Sequence, residues 1–178
     1  QEYTLKLSNS TRTDDPLIRY KQDVAAGIER LVARDYYAAR KRFTSAVLMS
    51  EIQNGDEAAH HSDLSWREVL APEDVSLFAG ILSLAFGSTT EQEELADHAE
   101  ALASVPMIRE TVVQVTKNAD FKQAWSLLDQ HAFRPLAADI CIGSHLPAIK
   151  QQIKERFVLQ YWRPYKCVSL KGMADRLG

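Results

Sequence analysis

Apolar positions along this chain recur mostly at intervals of three and four, the period of helices that bury one face. Tyr20, Val24, Ile28 and Leu31 form the first such stripe. Residues 1–15 ahead of it are polar and end in Asp14-Asp15-Pro16, so either aspartate can cap a helix whose first turn holds the proline. A polar stretch from Glu51 to Ser65, rich in Asn, Gly, Asp, His and Ser, reads as a loop. Pro72-Glu73-Asp74 then opens a helix with acidic residues at its positive end. Its Val75, Phe78, Ala79, Leu82 and Phe86 cover more than one face, which predicts deep burial.

Gly87-Ser88-Thr89 closes that helix, and Thr89 or Thr90 with Glu93 resembles a capping box for a helix over 90–103. Pro106 starts another, with Ile108, Val112 and Val115 on one stripe. A helix over about 119–132 follows. Ser144 is placed to cap a longer one, on which Leu146, Ile149, Ile153, Phe157 and Tyr161 share a face, and Pro164 ends it. No two-residue hairpin signal and no sustained alternation appears, so essentially no sheet is expected.

Between Gly27 and Ala46 the small residues Gly27, Ala39 and Ala46 alternate with the bulky Tyr36 and Phe43. This follows the tetratricopeptide pattern of a small residue, a turn, then A-x-x-x-F. Small residues let two antiparallel helices approach where they cross, and aromatic rings fill the groove beside the crossing. Asp35-Tyr36-x-x-Ala39-x-x-x-Phe43 is echoed by Asp120-Phe121-x-x-Ala124-x-x-x-Leu128, 85 residues later, so the array is irregular. An ordinary antiparallel bundle is the plainer alternative; two matching copies favour stacked hairpins.

At the end of the chain Ser169 suits an N-cap, and Leu170, Met173, Ala174 and Leu177 form an apolar stripe up to Gly178. The first helix of a winged-helix unit reads this way, and a lone terminal helix fits these residues equally well. The divisions expected are a tail at 1–15, helical repeats at 16–164 and the start of an incomplete winged helix at 165–178.

Composition changes this picture little. Of 178 residues, 46% are hydrophobic and 25% charged, with net charge −3, which suits a protein with a sizeable core and an ordinary surface. The balance argues against general nucleic-acid binding, which needs a basic footprint. No apolar run reaches membrane-spanning length. The chain begins at Gln1 with no signal-peptide pattern, and reads as part of a longer protein. Cys141 and Cys167 are too far apart for a Cys-x-x-Cys site, so both are expected as buried free thiols in a reducing compartment.

Candidate chemistry is sparse. His60-His61-x-Asp63 has metal-ligand types, but it lies in a polar loop with no fourth ligand nearby, so a solvated loop is the better reading. An enzyme with a metal at His60 and His61 remains the weakest functional alternative. Ser144-His145 lacks an oriented acid and suits capping more than nucleophilic catalysis. Glu57 has no partner carboxylate at a readable spacing, and no glycine-rich phosphate loop exists. Glu91, Glu93, Glu94, Asp97 and Glu100 form an acidic helix face of the solvated kind. The expectation is therefore a non-enzyme without cofactor or metal. Tyr161, Trp162 and Tyr165 cluster between the last long helix and the terminal one, expected as packing between the two modules with a partner hot spot as the alternative. Arg163, Lys166 and Lys171 add local positive charge that could meet an acidic neighbour. Together Tyr161, Trp162, Arg163, Tyr165, Lys166 and Lys171 are the candidate protein interface.

Irregular tetratricopeptide-like hairpins running into a winged helix make up the PCI architecture. The chain resembles that family from about residue 17 onward. The resemblance lies in Ala25-Ala26-Gly27 through Phe43, in Leu70-Ala71-Pro72-Glu73-Asp74-Val75-Ser76-Leu77-Phe78-Ala79-Gly80 with Leu84-Ala85, in Gln160-Tyr161-Trp162-Arg163-Pro164-Tyr165, and in Met173-Ala174. Within the family these stretches look most like a scaffold subunit of the COP9 signalosome, ahead of its counterpart in the proteasome lid. The resemblance implies an all-α, non-catalytic scaffold that joins other PCI and MPN subunits in a hetero-oligomer, in cytoplasm and nucleus. It also implies contact with cullin–RING ligases and support for cullin deneddylation by a metalloprotease on another subunit. A proteasome-lid scaffold and a winged-helix nucleic-acid-binding regulator are the alternatives.

Overall fold

A computed structural model describes residues 16–53, 70–98, 102–167 and 169–177. Every element in these residues is helical, an arrangement consistent with an α-solenoid. Helix α1 (Pro16–Val32) turns back into α2 (Tyr36–Gln53), and α2 lies along α3 (Pro72–Phe86). Two shorter helices follow, α4 (Thr89–Asp97) and α5 (Pro106–Val113), the latter continuing as a π-turn over Gln114–Asn118. Helix α6 (Phe121–Leu127) passes through a second π-turn, Leu128–Ala132, into α7 (Phe133–Ala138). A 3-10 turn, Gly143–His145, leads to the long α8 (Leu146–Trp162), and α9 (Leu170–Leu177) closes the described chain.

Helix α3 is the centre of the molecule. Every residue from Val75 to Ala85 is buried, as its all-round apolar pattern requires, and α2, α5 and α8 pack around it. Gly80 permits one of these contacts, because a Cβ there would stand 2.5 Å from Ile108 Cγ2. The buried Gln92 of α4 donates from Nε2 to the Ser83 carbonyl at 3.1 Å, satisfying an end-of-helix acceptor of α3.

The first hairpin is built as its small and bulky residues suggest. Ala39, Phe43 and Ala46 are fully buried, and a Cβ on Gly27 would lie 2.8 Å from the Phe43 ring. Burying one such Phe stabilises by roughly 1.5–3 kcal/mol. Inside the crossing the buried Asp23 accepts from Arg42 Nη1 at 2.8 Å and from Ser45 Oγ at 2.6 Å.

The second copy reproduces this turn closely. Arg34 (φ 60°) and Ala119 (φ 50°) each hold a left-handed conformation just before the repeat's aspartate. Asp35 Oδ1 accepts from the Ala38 N–H at 3.1 Å, and Asp120 Oδ1 from the Gln123 N–H at 2.9 Å. Ala39 and Ala124 are both fully buried, as are Phe43 and Leu128 four residues on. The copies differ on the incoming side. Asp35 N–H reaches back five residues to Arg30 O, whereas Asp120 N–H reaches back six to Gln114 O, because α5 widens into its π-turn.

Several boundaries differ from the sequence expectation. Helix α2 runs through Gln53, so Glu51–Gln53 is helix, not loop; the rest of that expected loop, to Ser65, lies outside the described residues. Asp14 and Asp15 also lie outside them. The capping box is formed by Ser88 with Glu91, not by Thr89 or Thr90 with Glu93, and the helix it opens stops at Asp97 instead of 103. Ser88 Oγ accepts from the Glu91 N–H at 3.2 Å while Glu91 Oε2 accepts from the Ser88 N–H at 2.7 Å. The helix expected over 119–132 begins after the left-handed Ala119 and is broken by the second π-turn. Ser144 does not cap α8; the N-cap position belongs to His145 and carries no side-chain cap.

Candidate protein-interaction surface

Helix α8 presents the candidate surface on its outer side, because its inner side is fixed in the core. Ile149, Ile153 and Phe157 are buried. Phe157 packs against Phe121 with ring centroids 5.4 Å apart, Phe121 against Tyr161 at 6.2 Å, and Tyr161 against Tyr165 at 5.5 Å. This line of rings runs from the core of the second hairpin to the surface. Pro164 lacks the N–H that would bond Gln160, so the helix ends at Trp162 and the chain turns through a Tyr165 N–H to Trp162 carbonyl bond of 3.0 Å. Ser169 Oγ accepts from the Gly172 N–H at 3.4 Å and starts α9, as its sequence suggests.

The aromatic cluster is therefore divided. Tyr161 is half-buried between Phe121 and Tyr165, but Trp162 and Tyr165 are each 54% exposed, more than packing between two modules would leave open. Leu159, one turn before Trp162, is 63% exposed, and Leu170 on α9 is 77% exposed. Arg163, Lys166, Lys171 and Arg176 are exposed in the same segment. Leu159, Leu170 and Arg176 thus join the residues expected from sequence. An exposed Trp and Leu at i, i+3 on one helix, rimmed by cations, have the character of an interface anchor. Beside them a cleft of about 240 Å³ opens between the π-turn, the end of α8 and α9.

Two polar contacts tie the first hairpin to α4 and to the turn that precedes α8. Arg40, on α2, is 3% exposed and meets Glu91 Oε1 at 2.7 Å. The Ser88 N–H holds the Glu91 carboxylate well below its usual range, at about 2, with Arg40 adding to the effect. Arg156 of α8 lies near both; burial, then the Arg40 charge, lowers its pKa. Tyr36 stacks on Phe86 at 5.2 Å, and its hydroxyl lies 3.2 Å from His145 Nδ1. Burial, then the Arg34 charge, lowers the His145 pKa. Sequence reasoning missed both contacts, because each joins residues far apart in the chain.

The remaining sequence candidates are accounted for individually. His60, His61, Asp63 and Glu57 lie outside the described residues. Among the described residues no group of three His, Cys, Asp or Glu side chains is placed to hold a metal, and no helix is long and apolar enough to cross a membrane. Both cysteines are free, but neither is buried as expected: Cys167 is exposed and Cys141 half-buried. Burial, then the Asp139 and Asp74 charges, pushes the Cys141 thiol pKa up. Glu93, Glu94 and Asp97 are exposed on α4, whereas Glu91 of the same acidic face is committed to its cap and to Arg40.

No protein-family model matches the chain. Among curated proteins, COP9 signalosome complex subunit 1 of Arabidopsis thaliana is 25% identical over 97% of this chain. The Neurospora crassa protein of the same name is 28% identical over 95%, and Drosophila melanogaster subunit 1b is 23% identical over 97%. The chain resembles subunit 1 of the COP9 signalosome. It spans 37%, 38% and 31% of those three relatives. The similarity to subunit 1 from plant, fungus and fly runs through both hairpins and the α8–α9 surface alike, since it covers almost the whole chain.

Proposed function

We propose that this chain is a non-catalytic scaffold segment of a COP9 signalosome-type complex. The similarity to subunit 1 across three kingdoms carries this reading. Stacked tetratricopeptide-like hairpins form the rigid body, and residues 165–178 form the start of a winged-helix module that completes a PCI domain. The α8–α9 surface joins the segment to other PCI and MPN subunits, through Trp162 and Tyr165 with Arg163, Lys166 and Lys171 around them. Within such an assembly the segment supports cullin deneddylation, carried out on another subunit, and contributes to contact with cullin–RING ligases, in cytoplasm and nucleus.

The paired left-handed turns support the repeat reading, since the same cap, small residue and bulky residue recur with the same burial. The exposed Leu159, Trp162 and Leu170 support the interface. Leu159→Glu combined with Trp162→Ala tests it. Surface changes of this kind alter stability by only about 0.5 kcal/mol in typical cases, so the melting temperature should stay near that of the parent. Capture of PCI and MPN subunits from cell extract should fall by roughly tenfold or more, as loss of a Trp-centred anchor implies. Undiminished capture would move the interface elsewhere.

A further inference from the structure

Resting on the interface reading above, we propose that the cleft beside α8 binds a short acidic peptide segment of a neighbouring protein, anchored by one aromatic or aliphatic side chain. The cleft, about 240 Å³, has room for one large side chain and is small for a drug-sized ligand. Val115, Phe121, Tyr161 and Tyr165 supply apolar and aromatic walls for that anchor. Arg163 and Arg176 lie on its lining and are exposed, so their guanidinium groups are available to carboxylates flanking the anchor.

Charge points to the same partner. Residues 163–177 contain Arg163, Lys166, Lys171 and Arg176 against Asp175 alone, on a chain whose net charge is −3. The basic segment is therefore a local reversal of the molecule's sign, complementary to an acidic strand. Thr116 and Gln160 complete the polar part of the lining. The wall that carries Thr116 is the π-turn Gln114–Asn118, whose widened geometry brings Val115, Thr116 and Ala119 to the cleft. Four cations make a small footprint for a phosphate backbone, which favours a peptide over nucleic acid.

The test uses the whole chain and fluorescein-labelled synthetic peptides, read by anisotropy. The probe places Asp and Glu on both sides of a central Phe. One control replaces Phe with Gly, a second replaces the acids with Lys, and a third is single-stranded DNA of equal charge. The probe should bind at least about tenfold more tightly than each control, as a site using both an anchor and charge requires. Arg163→Glu with Arg176→Glu should weaken it at least about tenfold. Circular dichroism should be unchanged, both side chains being exposed. A photoreactive benzoylphenylalanine at the anchor should crosslink to the segment 115–121 or to Tyr161. Equal binding of DNA or of the Gly peptide, indifference to the arginine changes, or a crosslink elsewhere would each overturn the proposal. If the chain captures PCI and MPN subunits but not the probe, the cleft proposal fails and the scaffold reading stands. If the probe binds as described but no such subunit is captured, the scaffold reading fails and the cleft stands as a peptide site.

Discussion

At the scale of single residues, the molecule accepts strain where it turns and uses charge where it joins. Ala119 sits at φ 50° without being glycine, a conformation that costs an L-residue roughly 1–2 kcal/mol. Ala119→Gly removes that strain and adds the chain entropy of glycine, about 0.5–1 kcal/mol, so the net should be a stabilisation of up to about 1.5 kcal/mol in urea unfolding. A loss of stability would mean that the alanine methyl group makes contacts worth more than the strain. Glu91 gives the pH counterpart. Its folded pKa, about 2, lies below the ordinary value of 4.5, so its contribution is fully present above that value and is lost as the pH falls through the folded pKa. Glu91→Gln should lower the melting temperature at pH 7 and flatten its decline between about pH 5 and pH 2. Parallel declines in parent and variant would remove Glu91 as a source of acid sensitivity.

At the scale of elements, the hairpin depends on small residues at the crossing. Ala39 is fully buried between α1 and α2, so Ala39→Trp overpacks the site and should cost roughly 1–3 kcal/mol or more, read as a fall in melting temperature. An unchanged melting temperature would refute the tight crossing. Most of this level is legible in the sequence. The stripe Leu146, Ile149, Ile153 and Phe157 marks the buried face of α8, and the repeated aspartate, aromatic and alanine mark two turns of one kind. The π-turns are not legible, because a shift of the backbone bond from i−4 to i−5 leaves the residue types unchanged and is decided by packing. The capping box moved to Ser88 for a related reason. Ser88, Thr89 and Thr90 can all cap, both Glu91 and Glu93 can answer, and only the end of α3 at Phe86 decides the register.

At the scale of the whole molecule, apolar packing gathers the first hairpin and α8 around α3, and long-range polar contacts tie the hairpin to α4 and to the turn before α8. The Arg40–Glu91 pair spans 51 positions of the chain and the Tyr36–His145 contact 109. No local pattern marks such pairs, so the sequence shows Glu91 only as part of an acidic face and Tyr36 only as a bulky residue of the repeat. The candidate surface was partly legible, since Tyr161 to Lys171 stand out as aromatic and basic. The division of labour within it was not. Burial against Phe121 takes Tyr161 inward, while Trp162, one position on around the helix, is carried outward with Leu159. The most direct measurement is affinity capture of the tagged chain from cell extract, with the retained proteins identified by mass spectrometry. PCI and MPN subunits of a COP9 signalosome-type complex should be recovered at reproducible stoichiometry. Recovery of proteasome-lid subunits instead, or of no PCI or MPN protein at all, would contradict the signalosome reading.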